Sequence, residues 1–250
     1  MGRLDGKVAF VTGGGSGIAR ATSLLFGREG ASVVIAELNT RAGQETEALC
    51  RDEGSDARFL PTDVTDPGSV AAAVSVAVEE HGHIDVLFNC AGGSLPDDGP
   101  ITTVDLAVWD PTMAVNVRGT MLCCRTVIPN MTGGHSSIVN MSSICGLSGN
   151  HPLHLYAAAK GAIVAFTRVL AAQYWRQGIR ANAIAPGVVM TERVAGRWTQ
   201  DAATAMGFDT HPYAAGTPED MANIVLFLAS DESRMINGAT IPAEGGLTAY

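Results

Sequence analysis

The chain predicts a doubly wound α/β fold: a single domain whose mainly parallel sheet carries helices on both faces. Three observations predict it. Short apolar runs alternate with longer stretches of helical character along all 250 residues. Those runs show almost no polar alternation, so both faces of each strand must be covered, as in a parallel sheet. The first run also ends in glycines, Gly13-Gly14-Gly15-Ser16-Gly17, and leads into a helix. Right-handed crossovers then place any ligand at the carboxyl ends of the strands, where the strand order reverses.

The elements follow in order. Residues 7–12 form the first strand and about 17–28 the first helix. Residues 32–37 are a β-branched strand closed by an acid, Glu37. A polar helix over about 41–52 leads to a third strand near 57–60. Asp66-Pro67 opens an Ala/Val helix that reaches about residue 80, with proline suited to the first turn. Residues 84–88 give the fourth strand. The stretch 104–128 is helical in parts, with a break expected near Asp110-Pro111. The fifth strand is 137–141, a long helix spans about 155–175, and the sixth strand is 179–184. A late helix (218–229) and a last short strand (239–241) complete the order. No linker, repeat or charge block marks a boundary, which supports one domain.

Composition narrows the function. The net charge is −9 and the pI about 5.0, which argues against a nucleic-acid partner and gives no attraction to anionic membranes. Five cysteines at unpatterned spacings read as reduced thiols rather than zinc ligands or disulfides. The N-terminal residues show no apolar leader, and no unbroken run of 18 apolar residues is present, so a cytoplasmic location is expected.

Chemistry gathers at the predicted strand ends. The glycine turn suits a pyrophosphate, which a helix N-terminus would face with free N–H groups. Glu37 lies about 20 residues on and can accept the ribose hydroxyls of an adenosine. A 2′-phosphate at ~5 Å from this carboxylate would be repelled by roughly 3 kcal/mol per unit charge, which favours NAD over NADP. Leu38, Asn39 and Thr40 offer no compensating charge; Arg20 and Arg41 are the nearest bases. The chain has only two lysines, and one of them, Lys160, stands four residues after Tyr156 on a helix face. A tyrosine brought from pKa 10 to about 7 needs about 4 kcal/mol of extra phenolate stabilisation. A nearby ammonium and a cationic nicotinamide ring could supply it.

With these residues in view, the sequence resembles the short-chain dehydrogenase/reductase superfamily, in its branch of about 250 residues, over essentially its whole length. The glycine turn is met by Thr12, Gly13 and Gly17, with Ala19 where the family has a last glycine. Asp63-Val64, Asn89-Cys90-Ala91-Gly92, Asn116, Ser143, Tyr156 with Lys160, and Pro186-Gly187 with Thr191 match the later motifs in order. The resemblance implies a Rossmann-type sheet and an NAD-dependent oxidoreductase of secondary alcohols or ketones. It implies Tyr156 as proton donor or acceptor, Ser143 as the group that holds the substrate oxygen, and Lys160 as the partner of Tyr156 and of the nicotinamide ribose. Asn116 would bind a water that links Lys160 to solvent. Cofactor contacts are expected from Gly13, Ser16, Gly17, Ile18, Glu37, Leu38, Asp63, Val64, Asn89, Ala91, Gly92, Tyr156, Lys160, Pro186, Gly187, Val189 and Thr191. The substrate pocket is expected from Ser143, Cys145, Leu153, Tyr156 and Val188.

No metal site is expected; His151 and His154 lack a third ligand nearby. A lid over the substrate is expected at about 191–216, with Trp198, Met206, Phe208 and Tyr213. The substrate is expected to be small and largely apolar or cyclic. A homo-oligomer is expected because the helix at 155–175 is apolar almost all round, and the resemblance implies a tetramer. A 3-oxoacyl thioester reductase and a catalytically silent NAD-binding scaffold are the rival readings. Glu37 and the acidic composition speak against the first, and the intact Asn116, Ser143, Tyr156 and Lys160 against the second.

Overall fold

Strand β1 (Val8–Thr12) lies inside the sheet and is buried along its whole length. The computed structural model describes residues 2–132, 134–149, 151–196 and 215–249. In chain order β1 is followed by α1 (Gly17–Arg28), β2 (Ser32–Glu37), α2 (Thr40–Asp52), β3 (Ala57–Pro61), α3 (Pro67–His81) and β4 (Val86–Asn89). Next come α4 (Trp109–Met113), α5 (Gly119–Val127), β5 (Ser136–Met141), α6 (His154–Tyr174) and β6 (Ile179–Pro186). The described chain ends with β7 (Val188–Val189), α7 (Glu192–Ala195), β8 (Ala215–Gly216), α8 (Pro218–Ala229) and β9 (Thr240–Ala243).

Seven strands pair in the order β3-β2-β1-β4-β5-β6-β9 and every pairing is parallel. The order reverses between β1 and β4, so the crevice predicted for a doubly wound sheet opens there. Side chains alternate between two cores. Val8 and Phe10 face the layer of α3, α5 and α6, where Val70, Cys123 and Leu170 pack. Ala9 and Val11 face the layer of α1, α2 and α8, with Phe26, Cys50 and Val225. Ala19 is buried in that second layer, so its methyl group is accommodated where the family pattern has glycine.

Local chemistry starts the helices as the sequence predicts. The Asp66 side chain accepts the N–H groups of Gly68 (3.0 Å) and Ser69 (3.3 Å), with Pro67 at the first helical position of α3. The expected break at Asp110-Pro111 is not where the helix is irregular. Pro111 lies in the first turn of α4, where its missing N–H has no partner to lose. The irregularity is a π-turn, Ala114–Arg118, between α4 and α5, and Asn116 is at its middle.

Two features bear on wider expectations. The stretch His154–Gln177 is long and apolar enough to suit a membrane span by length and hydropathy, although Lys160 and Arg168 interrupt it. In the fold, one face of this helix is buried by Leu155, Ile163, Val164 and Leu170. The segment expected as a lid has both ends placed: β7 and β8 pair in parallel, Val188 with Ala215 and Val189 with Gly216. Residues 197–214, with Trp198, Met206, Phe208 and Tyr213, lie outside the described residues.

Candidate active site

The glycine turn after β1 is joined to the turn after β4. The Thr12 hydroxyl accepts the N–H groups of Cys90 (3.0 Å) and Ala91 (3.1 Å). Gly13 donates to the Ala36 carbonyl at 2.8 Å and has φ +70°, a left-handed conformation suited to glycine. A Cβ on Gly13 would lie 2.9 Å from the Ala91 Cα, so the close approach of the two turns depends on its absence. Ser16 precedes α1 in extended conformation and makes no capping bond, which leaves the first N–H groups of α1 available to an anion in the cleft.

At the end of β2, the Glu37 carboxylate accepts from Gly15 (3.0 Å) and Asn39 (2.8 Å). The two bases that could offset it face elsewhere. Arg20 donates to the Thr46 hydroxyl (3.1 Å) and pairs with Glu45 (3.5 Å) and Glu192 (3.8 Å). Arg41 pairs with Glu45 at 2.9 Å. Asp63 closes its own turn by accepting from Thr65, and Leu38, 68% exposed, lies with Val64 at the outer end of the cleft.

One continuous cavity of about 930 Å³ runs from this end to the Tyr/Lys pair. Its wall includes Gly13, Ser16, Gly17, Ile18, Glu37, Leu38, Asp63, Val64, Ala91 and Gly92 at one end. Ser143, Cys145, Leu153, Tyr156, Lys160, Pro186, Gly187, Val188, Val189 and Thr191 line the other. Two expected site residues are off the wall. Asn89 is buried beneath it, and its amide donates to Asn140 (2.9 Å) and to the Cys124 sulfur (3.3 Å). Asn116 is also buried. Its amide donates to the carbonyls of Gly93 (3.0 Å) and Thr112 (2.9 Å), and its oxygen accepts from Gly93 at 3.0 Å. Both donors of that amide are used, so the side chain braces the turn after β4.

At the inner end, Tyr156 and Lys160 lie one turn apart on α6, with the ammonium 5.4 Å from the centre of the phenol ring. Lys160 is 2% exposed and donates to the Met141 carbonyl at 2.9 Å. Burial pushes its pKa down to about 8. Burial pushes the Tyr156 phenol the other way, well above its ordinary range, with Cys145 adding to the rise and Arg193 and Ser143 opposing it. Burial thus disfavours the charged form of both groups, the phenolate and the ammonium. A cation arriving beside the ring would favour the phenolate.

Ser143 begins a short turn, Ile144–Gly146, and its hydroxyl accepts the Cys145 N–H at 3.2 Å. That turn packs directly on α6. A Cβ on Gly146 would lie 2.6 Å from the Lys160 carbonyl carbon and 2.7 Å from the Gly161 nitrogen. The Ser142 hydroxyl also donates to the Lys160 carbonyl at 2.9 Å. Backbone contact thus sets the distance between Ser143 and the Tyr/Lys pair.

Sequence reasoning missed several residues here. Gly146 carries no motif, and its role appears only when α6 lies over it. Arg193, on α7, lines the cavity and lies against Gly92 and Gly93; nothing in its neighbourhood in the sequence signals this. Asp98 is buried and accepts backbone N–H groups from the start of α6, 57 residues away, at 3.1 Å from Leu155. His151, which the sequence places nearer the substrate mouth than a metal, does line the cavity, and burial lowers its pKa. Among the described residues no three His, Cys, Asp or Glu side chains gather as a metal site.

Comparison with known proteins gives the chain its relatives. The family model described as enoyl-(acyl carrier protein) reductase matches residues 13–248. A protein of Bradyrhizobium diazoefficiens named as a short-chain type dehydrogenase/reductase is 43% identical over 255 positions, which cover 100% of this chain and 90% of that protein. The cis-4-hydroxycyclohexanecarboxylate dehydrogenase of Sinomonas cyclohexanicum is 38% identical, with 97% of each chain covered. A crystal structure of a Burkholderia xenovorans protein named as a short-chain dehydrogenase/reductase superposes with a TM-score of 0.93 at 32% identity, over 100% of this chain and 99% of that one. The order of motifs, the strand order and the similarity over the full length lead to one assignment: this chain belongs to the short-chain dehydrogenase/reductase superfamily, in its branch of about 250 residues, as an oxidoreductase of the alcohol/ketone type that uses a nicotinamide dinucleotide.

Proposed function

We propose that the protein is an NAD-dependent dehydrogenase of secondary alcohols, or the reductase of the matching ketones, acting on a small, largely apolar or cyclic substrate. The observation that carries this reading is the pair of half-buried Tyr156 and buried Lys160 at the inner end of a cavity whose outer end presents Glu37. The cleft fits the cofactor on its own features. The cradle at Gly13 would be filled by a Cβ, the N-terminus of α1 is uncapped, and both nearby bases are engaged by Glu45. When bound there, NAD would supply the hydride acceptor, and its reduced form the hydride donor.

This chain's residues handle the proton and the geometry. In oxidation, Tyr156 as phenolate takes the hydroxyl proton of the substrate while hydride leaves the carbinol carbon, and a ketone remains. In reduction, Tyr156 gives the proton back. Ser143 holds the substrate oxygen beside the phenol, and Lys160 favours the phenolate and grips the nicotinamide ribose. Pro186, Gly187, Val189 and Thr191 form the wall for the nicotinamide end. Asn116 holds the turn at Gly93 through both ends of its side-chain amide. Leu153, Val188 and Cys145 give the substrate end an apolar lining. The segment 191–216 is the candidate cover. The named substrate of the Sinomonas relative is in keeping with a cyclic alcohol.

The protein acts as a homo-oligomer, a tetramer by the resemblance, in the cytoplasm. The reason on the molecule is the outward face of α6. Ala158, Ala165, Val169 and Ala172 are exposed at helical spacing, with Trp175 just past the helix end, and Val169 is 61% and Trp175 56% accessible.

Steady-state turnover of cyclohexanol, 4-hydroxycyclohexanecarboxylate, 1-phenylethanol and a polyol with NAD tests the activity. Tyr156→Phe should keep the fold and NAD binding and lose at least ~10²-fold in turnover. A variant within tenfold of wild type would remove Tyr156 as the proton-transfer group.

A further inference from the structure

Helix α6 carries the Tyr/Lys pair, yet it begins without a cap of its own. The residue before it, Leu153, has no side chain that could accept a hydrogen bond. The first N–H groups of α6 are taken instead by the loop that follows β4. Asp98 accepts from Leu155 at 3.1 Å with one carboxylate oxygen and from Tyr156 itself at 2.8 Å with the other. The same loop gives a further tie, the Ile101 N–H to the Nδ1 of His154 at 3.0 Å. Asp98 is 8% exposed, and among the described residues no lysine, arginine or histidine forms an ion pair with it.

A buried carboxylate without a cation is costly unless N–H groups and a helix N-terminus meet its charge. Only a carboxylate offers an acceptor oxygen to each of the two N–H groups; asparagine or serine would keep one of the bonds. The charge that comes with the second oxygen acts beyond capping. It lies at the positive end of α6, beside the first turn that bears Tyr156, and it is felt by Cys145 and His151 on the same wall. The positive end of a helix would otherwise favour a phenolate at its first turn. Asp98 meets Tyr156 at its backbone N–H; the groups that face the phenol itself are Lys160 from the same helix, Ser143 and Cys145 from the turn after β5, Cys90 just past β4, and Arg193 from α7.

We infer that Asp98 is a positioning residue for Tyr156: it fixes the first turn of α6 and masks the helix N-terminus, so that ionisation of the phenol depends on Lys160 and on the bound cofactor. This rests on the reading of Tyr156 as the proton-transfer group. It makes activation of the phenol conditional on NAD, because the helix offers little of its own positive field to the phenolate.

Ultraviolet titration of tyrosinate in the NAD complex tests it without a substrate. Wild type, Tyr156→Phe, Asp98→Asn and Asp98→Ala are compared, and NAD binding and melting temperature are measured alongside. The tyrosine step absent from Tyr156→Phe belongs to Tyr156. In Asp98→Asn that step should move down by about 0.5–1 pH unit, because a negative charge near the phenolate is gone. The rise of cyclohexanol oxidation with pH should move with it, and NAD affinity should stay within threefold. In Asp98→Ala both accepted bonds are lost, and turnover at the pH optimum should also fall at least tenfold. A cap that only held the fold together would lower the melting temperature and leave the Tyr156 midpoint in place; that result in Asp98→Asn overturns the inference, whether or not Asp98→Ala folds. If Tyr156→Phe itself keeps turnover, the reading of the site fails first, and the two failures are told apart.

Discussion

The Glu37 carboxylate accepts the Gly15 N–H at 3.0 Å across the glycine turn, so the acid at the end of β2 lies over the loop that would hold the pyrophosphate. A 2′-phosphate would meet it at short range. The bases that could offset this, Arg20 and Arg41, share Glu45 as their partner. NAD should therefore exceed NADP in kcat/KM by about 100-fold or more, on a repulsion of roughly 3 kcal/mol per unit charge. Steady-state kinetics with both cofactors measures the ratio. Equal efficiencies would mean that Arg20 or Arg41 leaves Glu45 for the phosphate. In the double variant Glu37→Ser, Glu45→Gln the ratio should fall by at least tenfold, since one change removes the repulsion and the other releases Arg41 and leaves Arg20 held only by Thr46 and Glu192.

Gly146 controls how closely the Ser143 turn approaches α6. A methyl there would press on the Lys160 carbonyl carbon at 2.6 Å, and that neighbour is backbone. Gly146→Ala should cost about 1–3 kcal/mol of stability by overpacking. It should also lower kcat more than it weakens NAD binding, because Ser143 moves relative to Tyr156. Chemical denaturation and NAD titration separate the two effects. A variant with wild-type stability and kcat would show that the turn shifts freely.

Much of this architecture was legible because parallel strands buried on both faces leave unbroken apolar runs. Val33 to Ala36 and Val86 to Phe88 are such runs, and the helix signal of Asp66-Pro67 is equally local. The cofactor motifs were legible because each lies within a few residues of a strand end, and Tyr156 with Lys160 because i and i+4 share a helix face. What escaped had no local signature. Pro111 reads as a break in the sequence, yet in a first turn it breaks nothing. The π-turn at Asn116 is one extra residue in a helix and leaves the composition unchanged. Asp98 and Gly146 act on α6 across loops, and their partners are fixed only once β4, β5 and α6 are side by side. Asn89 and Asn116 carry the family's pattern, but their side chains serve the scaffold beneath the cavity rather than its wall.

The exposed apolar stripe of α6 leads to a test of assembly. Val169 lies in its middle, between Ala165 and Ala172. A charge there would be buried unpaired if two copies meet on this face. Val169→Arg should convert the oligomer into smaller species in light scattering at micromolar concentration, and Arg58→Ala, on the far edge of the sheet, should not. A wild-type monomer at that concentration would refute the assembly outright.

Lys160 offers a test that needs neither substrate nor cofactor. Burial lowers its pKa from the ordinary 10.5 to about 8 in the folded, cofactor-free protein. The group is a base whose folded pKa lies below its unfolded one. The unfolded chain therefore binds more protons between about pH 8 and 10.5, and stability rises with pH across that window. Below about pH 8 the penalty is constant, on the order of 3 kcal/mol. Lys160→Met keeps much of the side-chain volume and removes the charge, and it gives up the bond to the Met141 carbonyl, worth about 1 kcal/mol. The cofactor-free variant should accordingly be more stable than wild type by ~1–2 kcal/mol at pH 7. That advantage should shrink as the pH rises from 8 towards 10.5, while turnover is lost at every pH. Denaturant unfolding of both proteins at pH 7, 9 and 10 measures the difference. If wild type is the more stable protein at pH 7, the Lys160 ammonium is well solvated or well paired where it sits, and the cost of holding it beside Tyr156 is not borne by the fold.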